Sequence, residues 1–189
     1  MTARKLLLAT FGLVALLLTT GVPDAAARPR PGGHIKGRRF DANKTFGLGL
    51  ELGDLVGLTG KYFVQSSQAI DFGVGYNYYY GDRTGGLHLY GDYLWHPVSL
   101  ASTEAFELPF YVGVGGRFWD FGYDRTVDNH DTAYAFGVRV PLGITFDFNE
   151  IPLDTFVQIT PTLDFFHNYA PHDVFIDFDF TIGVRYWFD

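Results

Sequence analysis

Residues 46–188 alternate between bulky apolar side chains and small or polar ones, and this alternation restricts the fold more than any other feature. Near the end of the chain, Phe178 and Phe180 share one face while Asp177 and Asp179 lie on the other. A period of two is typical of β-strands with unlike faces. Several segments reach the roughly 9–11 residues that a tilted strand needs to cross a bilayer. The eight segments are 46–52, 58–64, 69–80, 87–95, 108–119, 132–147, 155–166 and 174–188.

The composition excludes several other classes of protein. Aromatic residues make up 18% of the 189-residue chain and charged residues only 19%, which excludes disorder over most of its length. The absence of cysteine excludes a disulfide-stabilised scaffold and a cysteine zinc site. The 23 glycines and the many aromatic residues disfavour long helices. A single β domain of ordinary size is therefore expected.

The two faces of the segments predict which side of a closed sheet meets lipid. The apolar side chains are too bulky and too numerous to fit inside eight strands, whereas the glycine-rich face with scattered charges suits a narrow interior. We therefore predict an all-β fold, an eight-stranded antiparallel up-and-down transmembrane β-barrel over residues 45–189. Aromatic residues gather at both ends of the segments, as at membrane–water interfaces. The alternative is a soluble lipocalin-like ligand-binding barrel, which predicts an apolar cavity and solubility without detergent.

Two features of the segments depart from an ideal barrel. The connection 96–107 is long, although it falls at the end where the other turns are short. Pro141 and Pro161 lie within segments and lack the N–H group that a closed ladder needs. We expect a β-bulge at each proline, or else strand limits that differ from those of the segments.

The start of the chain has the three parts of a secretory signal peptide. Arg4 and Lys5 precede an apolar run, and small residues up to Ala27 follow at the spacing that a signal peptidase recognises. We predict cleavage after Ala27, which makes residues 1–27 the signal peptide. An uncleaved anchor is the alternative, since the apolar run is at the lower limit for a spanning helix.

Residues 28–44 form a strongly basic stretch with six basic residues and one acidic residue. Its prolines and glycines follow no period, which predicts a flexible tail. Residues 45–189 instead hold 6 basic and 19 acidic residues. In an exported protein we expect the tail to be solvated and weakly attracted to anionic lipid or cell-wall polymer, with no nucleic acid as a partner.

Ten charged residues fall on the face that we assign to the interior. Unpaired charges in a narrow lumen surrounded by lipid are costly, so these residues should form ion pairs. A structural charge network that plugs the barrel is the first interpretation, because side chains just fill the interior of eight strands. A narrow ion-conducting pore is the alternative. The ten residues are Glu51, Lys61, Asp71, Asp92, Arg117, Arg139, Asp164, Asp177, Asp179 and Arg185.

The chain ends in TIGVRYWFD, which resembles the C-terminal insertion signal of bacterial outer-membrane barrels. Thr181, Gly183, Tyr186 and Phe188 match the pattern in turn, and Asp189 departs from it because the family usually ends on the aromatic residue. The resemblance is to the small eight-stranded OmpA/OmpX-like class. It implies a location in the bacterial outer membrane, contact with outer-membrane lipid and insertion by the outer-membrane barrel assembly machinery. We expect a monomer with a periplasmic basic tail.

No residue pattern points to catalysis, and we expect no enzyme activity. Beyond the signal, serine occurs only at Ser66, Ser67, Ser99 and Ser102. All four lie in predicted inner turns, where only His96 is near, and this disfavours the serine chemistry of an outer-membrane lipid-modifying enzyme. Such an enzyme remains an alternative. His88 and Asp92 share the inward face, where we expect a buried hydrogen-bonded pair.

One predicted outer loop is crowded with acids that could bind a divalent cation. It contains Asp120, Asp124, Asp128, His130 and Asp131. Their spacing defines no ligand set, which favours a solvated loop; Asp124, Asp128 and Asp131 are weak metal candidates, and no cofactor is predicted. We expect a structural role, or a surface interaction of the outer loops with an extracellular ligand.

Overall fold

The computed structural model describes most of the barrel and a short segment before it. The described residues are 37–53, 55–77, 86–121, 133–167 and 174–188. The predicted signal peptide and the loop acids Asp124, Asp128 and Asp131 lie outside these residues.

Nine β-strands form within the described residues. They are β1 (Phe46–Gly53), β2 (Leu55–Gln65), β3 (Gln68–Asn77), β4 (Leu87–Ser102), β5 (Phe106–Phe121), β6 (Ala133–Arg139), β7 (Leu142–Phe148), β8 (Leu153–His167) and β9 (Val174–Trp187). The longest, β4 and β5, have 16 residues each, whereas strands of soluble sheets usually have about 5–6. Within the described residues, no helix has the length and apolar character required to cross a membrane.

The strands close into a ring of antiparallel pairs. Neighbouring strands pair with each other, and β1 also pairs with β9 from Gly47↔Trp187 to Gly53↔Thr181. Strands β6 and β7 lie end to end, because both pair with β5 and with β8. The ring is therefore eight strands wide, and the predicted all-β, eight-stranded antiparallel barrel is confirmed. Its insertion into a membrane stays a prediction.

Three short turns gather at one end of the barrel, which we call the inner end. They connect β2 to β3, β4 to β5 and β7 to β8. The connections at the opposite end, after β3, β5 and β8, lie largely outside the described residues.

The predicted bulges at Pro141 and Pro161 are wrong, and at Pro141 the strand limits differ instead, because the segment 132–147 divides there into β6 and β7. Pairing with β8 keeps one register on both sides of the break between β6 and β7, and the β8–β9 ladder runs through Pro161 without a shift. The carbonyl of each proline still accepts a ladder hydrogen bond, from Gly113 N to Pro141 O and from Val140 N to Pro161 O, both at 2.9 Å. In an antiparallel pair, the N and C=O of one residue face the same neighbouring strand. Each proline therefore removes one ladder hydrogen bond, the one that its missing N–H would donate.

The long inner connection predicted at 96–107 is also wrong. Strand β4 continues through Ser102 and turns directly into β5. The register shifts between Trp95 and Val98 and again between Ser99 and Ser102, which marks two irregularities of the bulge type. A bulge adds a residue to one strand and so breaks the strict alternation, which is why the segment was predicted to end at Trp95.

Burial on the barrel is inverted relative to a soluble domain. Among the outward side chains, Phe178 is 68% exposed and Ile176 is 64% exposed. The inward charged side chains are almost fully enclosed, with Asp164 0% exposed and Lys61 and Arg185 1% exposed. Monomeric soluble proteins rarely show a continuous apolar surface of this size.

Candidate functional site

The inward face of the ring is the candidate site, because alternation directs every second side chain into the lumen. Nine of the ten charged residues assigned to the interior are at most 4% exposed. The tenth, Asp177, has a side chain that is 32% exposed. Three arginines on different strands organise these charges: Arg117 on β5, Arg139 on β6 and Arg185 on β9.

Arg117 contacts three carboxylates at once. Its Nε donates to Asp164 Oδ1 at 2.9 Å, and its Nη2 donates to Asp164 Oδ2, so this pair is bidentate. Its Nη1 donates to Asp179 Oδ2 at 2.6 Å, and Nη2 lies 3.2 Å from Asp177 Oδ2. The planar guanidinium matches carboxylates in this forked geometry, which a lysine ammonium cannot reproduce. We call these four residues the Arg117 hub.

Arg185 holds two carboxylates nearer the inner end. Its Nη1 donates to Asp71 Oδ1 at 2.6 Å, and its Nε donates to Asp154 Oδ1 at 3.2 Å. The indole Nε1 of Trp187 donates to the other oxygen of Asp154 at 3.2 Å. The guanidinium carbon lies 4.0 Å from the ring centroid of Phe156, a cation–π contact. Asp154 was missed by the sequence analysis because it precedes the segment predicted to begin one residue later.

Arg139 and Glu51 are connected through Tyr90. Arg139 Nε lies 3.2 Å from Asp92 Oδ2, and its guanidinium carbon lies 4.0 Å from the Tyr90 ring centroid. The Tyr90 hydroxyl donates to Glu51 Oε2 at 2.8 Å. The predicted hydrogen-bonded pair of His88 and Asp92 is wrong: Asp92 faces Arg139, and neither ring nitrogen of His88 has a hydrogen-bond partner among the described residues.

Lys61 enters a group of aromatic rings instead of an ion pair. Its Nζ donates to His96 Nε2 at 2.8 Å, which requires the tautomer of His96 with an unprotonated Nε2. The same Nζ lies 4.7 Å from the ring centroid of Tyr111 and 5.3 Å from that of Phe63. Cation–π contacts therefore take the place of a carboxylate here.

Residues 37–44 run across the inner end, and we call them the inner strap. The ring of Phe40 is 2% exposed, and its centroid lies 5.8 Å from that of Phe63 and 5.3 Å from that of His96. Phe63 in turn stacks on Trp187 with centroids 5.7 Å apart. These rings, together with Tyr111, form a layer across the lumen that we call the inner aromatic cluster.

The inner strap is also tied down at its end by Lys44. The ammonium of Lys44 pairs with Asp147 and donates to the carbonyl of Phe148 at 2.8 Å. The side chain of Lys44 is 3% exposed. These residues were predicted to belong to the flexible tail, and the structure differs because one buried ring and one paired ammonium fix residues 37–44 against the barrel. The only sequence signal was an isolated phenylalanine in a basic stretch.

Inward glycines provide the space for the large interior side chains. A Cβ atom on Gly73 would overlap the ring of Tyr90, and one on Gly183 would overlap the ring of Phe156. Each ring therefore lies against the backbone of a neighbouring strand. This close approach explains why the inward face is rich in glycine.

Gly73→Ala is expected to destabilise the barrel by about 1–3 kcal/mol, the usual cost of overpacking. The Tyr90 ring cannot move aside easily, because its hydroxyl is bound to Glu51 and Arg139 covers its face. Urea unfolding of the vesicle-folded protein, followed by tryptophan fluorescence, measures the change. Gly91→Ala is the control, since a Cβ there meets no atom within 4 Å. Equal midpoints for the two variants would contradict the assignment.

The described geometry can be compared with the needs of a serine hydrolase. Such an enzyme requires a serine hydroxyl, a histidine and a carboxylate within hydrogen-bond reach. Ser99 Oγ donates to the carbonyl of Ala101 at 3.0 Å, and His96 Nε2 faces Lys61. In the described ranges, no side-chain hydrogen bond joins a serine to a histidine.

Metal-ligating side chains are not clustered in the part of the chain that the structure describes, where no group of three or more could hold a metal ion. The weak metal candidates Asp124, Asp128 and Asp131 lie outside that part. The outer loops predicted to meet a ligand lie largely outside it as well.

The C-terminal pattern lies on β9 with its polar and aromatic members on opposite faces. Thr181 is buried on the inward side, which it shares with Gly183. Tyr186 and Phe188 point outward, and their ring centroids are 5.1 Å apart in an edge-to-face contact. Phe188 also stacks on Phe46 of β1 at 6.1 Å. The aromatic pair therefore sits where β9 meets β1 and the ring closes.

The fold is thus a closed eight-stranded antiparallel barrel with a charged interior and an apolar outer face. No family model matches the chain, and no curated protein matches its sequence. Among solved structures, the N-terminal β-barrel domain of Pseudomonas aeruginosa OprF is similar, with a TM-score of 0.57 and 14% sequence identity. The match covers 81% of this chain and 100% of that one. At the level of fold, this likeness confirms the barrel class that the C-terminal pattern predicted.

Proposed function

We propose that this chain is an integral outer-membrane β-barrel protein, inserted as a monomer by the barrel assembly machinery. The inverted burial carries the proposal: charged side chains fill the inside of a closed ring while bulky apolar side chains cover its outside. An apolar surface around the whole ring is stable in contact with lipid hydrocarbon. The fold of the OprF domain supports the same location.

The lumen of this barrel is closed by its own side chains. Three features support closure: the Arg117 hub, the Arg185 pairs and the inner aromatic cluster lie at successive depths of the interior. Eight strands leave only enough space for side chains to fill. The three guanidinium groups face buried carboxylates on other strands, so these charges hold strands together and do not bind a passing ion.

The role that follows is structural or interactive, without catalysis. Eight of the ten interior charges lie in ion pairs, whereas Glu51 and Lys61 bind Tyr90 and His96. In the described ranges, no side-chain hydrogen bond joins a serine to a histidine. Outer-membrane barrels commonly carry longer loops on the extracellular side. We propose that the acidic outer loops meet an extracellular ligand or neighbouring surface molecules, whereas the inner strap and inner turns face the periplasm.

Ile159→Arg tests whether the outer face meets lipid. Ile159 lies midway along β8 and is 51% exposed, so it would stand near the bilayer midplane. Arginine at that depth costs about 2–4 kcal/mol of folding free energy in a membrane barrel. Urea titration of folding into phosphatidylcholine vesicles, scored by the heat-modifiable band on gels, measures this loss.

Ile151→Arg is the matched control for that substitution. Ile151 is 44% exposed and lies in the inner turn between β7 and β8, outside the hydrocarbon. We expect its folding midpoint to equal that of the parent. A soluble barrel would tolerate both arginines equally and would not enter vesicles, and that result would overturn the proposed location.

Planar-bilayer recording tests whether the lumen is closed. The folded full chain is expected to give no steady single-channel conductance, because the Arg117 hub and the inner aromatic cluster occupy the interior. Steady, large openings in most insertions would contradict closure. Boiled protein added at the same concentration is the control for detergent artefacts.

A further inference from the structure

Two glycines leave a gap in the apolar outer face of the barrel. Gly91 on β4 pairs directly with Gly116 on β5, and both are exposed. The next outward pair in the same ladder, Leu89 opposite Phe118, is bulky on both strands. Two side chains are therefore missing side by side in an otherwise bulky belt. We call this gap the glycine groove.

No described side chain fills the glycine groove. A Cβ atom on Gly91 would meet no heavy atom within 4 Å, and one on Gly116 would meet only the backbone oxygen of Gly137 at 3.4 Å. Gly60, an outward glycine on β2, differs because the ring of Phe72 covers it. The groove has a volume of about 380 Å³. The gap at Gly91 and Gly116 is therefore open to the outside, whereas the outward glycine at position 60 is covered by a neighbouring ring.

The walls of the glycine groove are hydrocarbon. Leu89, Phe118 and Phe136 line its outer side in one row across β4, β5 and β6, and the ring centroids of the two phenylalanines are 5.1 Å apart. None of these side chains offers a charge or a hydrogen-bond donor. An extended acyl chain matches such a groove, because it fills the gap with dispersion contacts that the protein itself does not make.

The two ends of the glycine groove differ in polarity. Toward the inner end, Tyr93 and Trp95 follow Gly91 on the outward face of β4, with ring centroids 4.9 Å apart. Arg38 then bridges to the same strand, since the N–H of Ser99 donates to its carbonyl at 2.7 Å. Aromatic rings followed by an exposed arginine are typical of the interface and phosphate level of a membrane.

The opposite end of the glycine groove repels a phosphate. Asp120 occupies the outward position on β5 beyond Phe118, and its carboxylate has the wrong charge for an anionic headgroup. The inner end therefore sets the direction in which a lipid can lie.

The spacing also fits one leaflet of a bilayer. Gly91 and Ser99 pair with Gly116 and Pro109, which are seven steps apart on β5, so they lie about 24 Å apart along the strand, or about 18 Å in membrane depth for a tilted barrel strand. Half of a bilayer with its headgroups measures about 20 Å. A lipid whose acyl chain fills the groove near the midplane therefore has its phosphate at the level of Arg38.

We propose that the glycine groove binds one acyl chain of an anionic glycerophospholipid of the inner leaflet, whose phosphate is held by Arg38 and Arg39. This inference rests on the proposed function, because the outer face must meet lipid. It adds a specific lipid site on the barrel surface to the general contact with the bilayer.

Native mass spectrometry of the full chain tests the proposal. The folded protein is released from micelles that contain equal amounts of phosphatidylglycerol and phosphatidylcholine. The parent is expected to retain one phosphatidylglycerol in preference to phosphatidylcholine. Filling the groove with Gly91→Leu and Gly116→Leu is expected to remove this bound lipid, whereas Val184→Leu on β9, across the ring from β4, is expected to retain it.

The headgroup is tested separately with Arg38→Gln and Arg39→Gln, which are expected to abolish the preference for phosphatidylglycerol. Retention of the lipid by the groove-filled variant would overturn the proposal. A parent that is dimeric and becomes monomeric when the groove is filled would also overturn it, in favour of a second copy as the occupant. A parent that inserts into vesicles without retaining lipid refutes this inference alone, whereas a parent that does not insert refutes the proposed function.

Discussion

Arg117→Met is expected to lower the free energy of unfolding by about 3–5 kcal/mol, the usual cost of breaking a buried ion pair. The substitution leaves Asp164 and Asp179, which are 0% and 2% exposed, without their guanidinium partner in a lumen surrounded by lipid. Total stabilities of about 5–15 kcal/mol are common for domains, so this loss is a large fraction of the whole. Urea unfolding in vesicles measures it.

Removing the orphaned charges should restore most of the stability lost in Arg117→Met. The triple variant Arg117→Met/Asp164→Asn/Asp179→Asn is therefore expected to unfold at a higher urea concentration than the single variant. Arg117→Lys should recover less of the lost stability than the triple variant does, because an ammonium cannot bind Asp164 in a bidentate manner. Glu104→Gln, at an exposed position in the turn between β4 and β5, is the control. An unchanged midpoint for Arg117→Met would show that the hub does not stabilise the barrel.

The components of this hub could be predicted from the sequence, but its pairing could not. Alternation alone assigns Arg117, Asp164 and Asp179 to the interior. The three carboxylates that pair with Arg117 lie 47, 60 and 62 positions later in the chain. Which of them meet depends on the register of strands that are not consecutive and on the tilt with which the ring closes. Register and tilt are properties of the whole ring, and a local sequence pattern does not encode them.

The errors of prediction also have local physical causes. Strand β4 beyond Trp95 was missed because its register shifts twice, and a bulge changes the face of every following residue. The prolines were expected to interrupt the ladder because they lack an N–H. The sequence does not indicate that their carbonyls still accept hydrogen bonds from Gly113 and Val140.

Composition misled the interpretation of the inner strap in a different way. A basic stretch with prolines and glycines predicts flexibility as an average over its length. Packing depends instead on single side chains, and Phe40 and Lys44 each find a partner site at the inner end. Such a docked segment can be recognised only once the inner aromatic cluster it completes is known.

Phe40→Ala is expected to destabilise the barrel by about 3–5 kcal/mol, the usual cost of truncating a buried phenylalanine. It removes the ring that packs on Phe63 and His96, and it opens a cavity at the inner end. The strap should then detach before the barrel itself unfolds, because it keeps the ion pair of Lys44 and backbone hydrogen bonds such as Ala42 N to Ser66 O but loses its buried ring. Trypsin cleavage after Lys44, followed by mass spectrometry, is expected to become much faster than in the parent.

Two comparison variants make the test specific to the ring. Glu104→Gln changes an exposed residue of the inner turn between β4 and β5 and should leave both the urea midpoint and the cleavage rate after Lys44 unchanged. Phe40→Leu keeps much of the buried volume and should fall between the parent and Phe40→Ala in both measurements. If cleavage after Lys44 were equally fast in the parent, the strap would be mobile and the other rings of the inner aromatic cluster would close the inner end without Phe40.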